Sequence, residues 1–179
     1  MISRLFGAGF LLVCSACSRP IESAIAPDTK DASPQVGQAT PAPATPPSAG
    51  DDDVREATFR WMFKKNASGM QLGAKVFCIH FEKGADPPPA FVARFASNKI
   101  PVVAGSGCTE DARTGVTQRS TGAHGLAFRI DSIKLTDADH ATVTGGYYEA
   151  GLSASGNVYT LERVAGAWTV TKDEMTWIS

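Results

Sequence analysis

No run of apolar residues in this chain approaches the roughly 20 that a membrane-spanning helix needs. The longest, Leu5–Val13, holds about nine. Charge of one sign is also missing, because 17 Lys and Arg stand against 18 Asp and Glu, a net charge of −1. Without a basic excess there is little to displace counterions from a phosphate backbone, so nucleic acid is not an expected partner. Histidine is scarce: His80, His124 and His140 lie far apart, and no close Cys/His ligand pair accompanies them. A zinc site, which needs such pairs, is therefore not expected, and no other metal or cofactor is.

Signatures of catalysis are absent as well. A serine hydrolase would show Gly-x-Ser-x-Gly on a strand-to-helix turn. The nearest stretch, Gly151-Leu152-Ser153-Ala154-Ser155-Gly156, misses it by one residue and lies between two strands. No glycine loop precedes a helix to cradle phosphate. Asp131, Glu149 and Glu162 fall on strands, but nothing sets two of them across a cleft as glycoside hydrolysis requires. No catalytic residue is assigned, and the reading leans away from an enzyme.

What is present begins with an address. Arg4 precedes the short apolar segment, and small residues follow up to Cys17, the organisation of an export signal over residues 1–16. Ser15-Ala16-Cys17 resembles the end of a bacterial lipoprotein lipobox, with Cys14 where Leu is usual. That resemblance implies lipidation of Cys17. With Ser18 next, it implies anchorage in the bacterial envelope, at the outer membrane facing the periplasm. Residues 17–50 are rich in Pro, Ala, Ser and Thr and carry no hydrophobic periodicity, so they read as an extended linker.

Residues 51–179 read as one globular α+β domain. Asp51-Asp52-Asp53 opens a helix that ends at Lys64-Lys65, acids at the positive end of the dipole and bases at the negative end. Val54, Ala57, Trp61 and Met62 form its stripe, flanked by Phe59 and Phe63. Residues 74–82 alternate as a strand covered on both faces. Pro89 starts a short helix burying Phe91 and Phe95, and residues 100–103 form a short strand. Residues 110–121 are polar and read as a loop. Leu126, Phe128 and Ile130 then alternate, and Ile133 and Leu135 continue one step out of phase. A β-bulge near Asp131-Ser132 would bring both sets to one face. Strands over 141–150, 157–164 and 167–177 complete a meander. Ala165-Gly166 makes its last tight turn, and residues 149–156 its one long connection. The order predicts a helix laid on a curved antiparallel sheet, a two-layer roll of NTF2-like or cystatin-like plan. In an exported protein, Cys78 and Cys108 are the expected disulfide.

Four stretches, VFCIHF, DPPPAFVARFASNKIPV, GSGC and GGYYEAGLSASGNVYTLERVAGAWTVTKDEMTWIS, resemble an uncharacterised family of bacterial exported proteins over nearly all of residues 51–179. The resemblance implies the same disulfide and fold and brings no activity with it. All three tyrosines, Tyr147, Tyr148 and Tyr159, lie in the last of these stretches. With His80 and Leu152 they are the expected lining of a pocket or a partner surface, although consecutive Tyr147 and Tyr148 must point to opposite faces. The expected function is a lipid-anchored periplasmic module that binds another protein without catalysis, in inhibition, immunity or envelope assembly. Two alternatives stand beside it: a small-ligand binder or minor enzyme using the interior of the cone, and a structural envelope protein.

Overall fold

A computed structural model of the chain describes residues 49–70 and 73–179. The expected signal, Cys17 and most of the expected linker lie outside the described residues. No helix among the described residues is long and apolar enough to cross a membrane.

The first element, helix α1 (Ala49–Met62), opens two residues ahead of the expected boundary. Its acidic start is tied into ion pairs. Asp52 accepts from Arg55 at 3.1 Å and Asp53 from Arg94 at 2.8 Å. The buried side of α1 is centred on Val54, Phe59, Met62 and Phe63, while Trp61 is only half buried. The expected stripe was therefore rotated, because it followed Trp61 where the core takes Phe59 and Phe63.

Strand β1 (Val76–His80), helix α2 (Pro89–Ala93) and strand β2 (Val102–Ala104) come next. β1 and β2 pair parallel, with α2 in the crossover between them. Then come β3 (Cys108–Asp111), β4 (Gly115–Gln118), β5 (His124–Leu135), β6 (His140–Ala150), β7 (Ser153–Val164) and β8 (Ala167–Ile178). The eight strands form one sheet, in the order β2-β1-β5-β6-β7-β8, with β4 joining β5 and β3 pairing with β4. β1 is also parallel to β5. The sheet is mixed, which corrects the all-antiparallel expectation.

Two further expectations change. Residues 110–121 are not a loop, since most of them form the β3–β4 hairpin, in register from Cys108↔Gln118 to Asp111↔Gly115. The supposed long connection over 149–156 is a tight turn at Gly151-Leu152, because β7 begins at Ser153. The bulge stands where the phase shift placed it: Ile130 faces Gly145 and Ser132 faces Thr144, which leaves Asp131 unpaired. At Gly145 a Cβ would lie 2.4 Å from the Arg129 carbonyl oxygen and 2.9 Å from Met62, so only glycine lets β6 bend this close under α1. Ala165 and Gly166 both take positive φ, 50° and 83°, as a two-residue hairpin turn between long strands requires.

One face of the sheet carries α1, which lies against β5, β6 and β8. Phenylalanines fill the space between. Phe63 lies 4.7 Å from Phe77, Phe77 lies 5.2 Å from Phe128, and Phe81 lies 4.8 Å from Phe91. Each contributes about 1.5–3 kcal/mol of burial beyond its ring contacts. On the other face a smaller cluster joins Val76, Cys78, Cys108, Val116 and Ala127. The Cys78–Cys108 disulfide lies inside it and ties β1 to β3.

Candidate binding cleft

At the C-terminal end of α1 the phenylalanine packing stops. The space between helix and sheet opens there into a cleft of about 570 Å³. Its position follows from strand alternation. Ser155, Asn157 and Tyr159 share one face of β7, opposite Tyr147 and Gly145 of β6 on one side and Asp173 and Met175 of β8 on the other. Trp61, Met62, Lys64 and Lys65 of the helix end form the opposing wall, and Phe128 closes the inner end.

The polar groups of this cleft are largely committed to one another. Trp61 Nε1 donates to Asp173 Oδ2 at 2.8 Å, and Asn157 Nδ2 donates to Asp173 Oδ1 at 2.6 Å. The Ser155 hydroxyl donates to Asn157 Oδ1 at 2.9 Å. Asn66 donates to the Met62 carbonyl and accepts from the Ser68 N–H. The Tyr147 and Tyr159 hydroxyls have no hydrogen-bond partner among the described residues, although both residues are buried. Burial raises the Tyr159 pKa well above its ordinary value, and the neighbouring negative charge of Asp173 raises it further. Tyr159 is therefore a neutral hydroxyl over the whole physiological range. Lys64 and Lys65 are exposed at the rim and paired with no acid among the described residues.

Beyond the cleft the same face of β8 is apolar and open. Met175 is 49 % exposed and Ile178, opposite Ser155, is 58 % exposed. Ser179 exchanges main-chain hydrogen bonds with Ala154, which brings the end of β8 beside the β6–β7 turn, where Leu152 is 90 % exposed. Among the described residues β8 has a strand neighbour on one side only, so its outer edge offers main-chain groups for pairing.

The expected site residues separate into two places. Tyr147 and Tyr159 line this cleft, while Leu152 stands exposed in the β6–β7 turn and is not part of its lining. His80 and Tyr148 lie on the opposite face, in a second cleft of about 410 Å³ with Lys83, Glu110, Arg129 and Asp131. There His80 Nε2 lies 2.8 Å from Glu110 Oε1. That hydrogen bond raises the His80 pKa and lowers that of Glu110. The sequence reading missed Ser155, Asn157, Asp173 and Met175. Had β7 been started at Ser153, the alternation Ser155-Asn157-Tyr159 would have shown a polar row on the tyrosine face. Among the described residues no group of three or more His, Cys, Asp or Glu is placed to hold a metal ion.

No protein-family model, curated protein or solved structure matches the chain.

Proposed function

We propose that the chain is a lipid-anchored module of the bacterial envelope that binds another protein without catalysis. Its working surface is the cleft together with the open end of β8. One observation carries this reading: Met175 stands exposed in the lining of a partly polar cleft, Ile178 stands exposed opposite Ser155 on the same strand, and that strand has an edge left free among the described residues, with Leu152 exposed at the adjoining turn. Apolar side chains gathered at one place, against a rigid sheet, mark an interaction site rather than a solvated surface. The free edge suits a partner that adds an extended strand.

A photoreactive residue placed at Leu152 or Ile178 of the full chain, in its own membranes, tests the reading. Capture of a discrete partner protein is expected from both positions and not from Lys134, which lies on another strand. Met175→Asp, which sets a charge in the apolar rim, should reduce capture by about tenfold or more. Equal capture from position 134, or none from 152 and 178, would sink it.

A further inference from the structure

The cleft is chemically one-sided. Every side-chain carbonyl or carboxylate oxygen in its lining already accepts from a neighbour: both oxygens of Asp173, and the amide oxygens of Asn157 and Asn66. The groups left without partners among the described residues are the hydroxyls of Tyr147 and Tyr159 and the ammonium groups of Lys64 and Lys65. All four are donors, and two carry positive charge. The ordinary account of the lysines is that they oppose the dipole at the end of α1, and it explains their charge. It does not cover the two phenol hydroxyls that open on the same cleft, whose rings are buried while their O–H groups face the cleft and meet no protein acceptor among the described residues. Tyr159 stays protonated, and so remains a donor.

Resting on the proposal that this surface binds a protein, we infer that the partner inserts an acidic side chain here. The carboxylate of an Asp or Glu on an extended segment sits in the cleft. It accepts from the Tyr147 and Tyr159 hydroxyls and pairs with Lys64 or Lys65. Hydrogen bonds to an ionised acceptor are the stronger kind, and a half-enclosed site strengthens them further. The remainder of the segment lies over Met175 and Ile178, along the free edge of β8. A free small acid would leave that apolar rim and edge unused, which is why the occupant is a segment of protein.

The test uses the full chain in its native membranes. A zero-length carbodiimide joins an amine to a carboxylate only where the two already touch, and mass spectrometry of the digest reads which lysine was joined to which acid. The expected result is an amide between Lys64 or Lys65 and an Asp or Glu of another polypeptide. Its yield should be about tenfold or more above that at Lys134, and should fall by about tenfold in the Tyr147→Phe/Tyr159→Phe double variant, with Lys134 unchanged. Yield no greater than at Lys134 overturns the inference. So does joining to Glu22, Asp28 or Asp31 of the same chain. If position 178 still captures a partner while the lysines show no excess, the acidic contact fails and the protein-binding surface stands. If neither gives a product, both fail.

Discussion

Two tryptophans occupy opposite situations, and the contrast is a matter of single atoms. Trp61 donates its indole N–H to Asp173 at 2.8 Å. Trp168 buries the same atom without a partner among the described residues, while the Arg163 guanidinium lies 4.9 Å above its ring. Phenylalanine keeps an aromatic face and removes the N–H in either place. At Trp61 it strips a donor from an ionised carboxylate, which costs about 1.5–3 kcal/mol. At Trp168 it removes a group that was already unsatisfied, and the cation–π contact survives on the smaller ring, so the change should stay below about 1 kcal/mol. Urea unfolding reads both. Trp61→Phe should lower the midpoint clearly and Trp168→Phe little, with unchanged slopes. Equal losses would mean that the ring volumes, not the N–H groups, decide.

Among the elements, the hairpin of β3 and β4 was the least legible from sequence. CTED and GVTQ are short, polar and weakly alternating, and only Cys108 and Val116 of the hairpin are buried apolar side chains. What places them is a long-range tie through Cys78, which local pattern does not encode. The parallel pairing of β1 was hidden for a similar reason, since its partners β2 and β5 are distant in the chain. The helix between β1 and β2 was the available signal, because parallel neighbours need a crossover. By contrast β5 to β8 were legible, bulge and last turn included but not the start of β7, because their partners are adjacent and their alternation is regular. The cleft was half legible: its tyrosines stood out by type, while Ser155, Asn157 and Asp173 look like ordinary strand polars until their register is known.

The hairpin has a second tie besides the disulfide, and it depends on pH. His80 on β1 binds Glu110 on β3, and that bond raises the His80 pKa above the ordinary 6.5 and lowers the Glu110 pKa below the ordinary 4.5. A raised histidine stabilises the fold fully below its unfolded value and loses that contribution as pH climbs through the folded one. A lowered carboxylate contributes above its unfolded value and loses it as pH falls through the folded one. The clip is therefore strongest between about pH 4.5 and pH 6.5 and weakens toward alkaline pH. Thermal unfolding of the disulfide-intact protein should show a lower midpoint at about pH 8.5 than at about pH 6. Glu110→Gln should flatten that difference. A wild-type difference that survives unchanged in the variant would assign the dependence to other groups.

For the molecule as a whole, the strand and helix pattern led to the α+β class, whereas the proposed function rests on a surface that forms only when α1, β6, β7 and β8 meet. That surface can act on a partner only if the chain is held where the partner is, and the proposed tether at Cys17 bears on this directly. Each buried methylene of an acyl chain is worth about 0.8 kcal/mol, and one chain alone holds only marginally. The several chains expected on a bacterial lipoprotein hold for longer than any useful experiment. Salt should not matter to such an anchor, whereas a purely electrostatic attachment would be screened within about 8 Å at physiological ionic strength. The wild-type protein should therefore stay in the membrane fraction through a high-salt wash, with an acylated N-terminal peptide seen by mass spectrometry. Cys17→Ser should abolish the acylated peptide and move the protein to the soluble fraction, with the domain still folded. Membrane retention of Cys17→Ser without the acyl mass would show that attachment runs through something other than this cysteine.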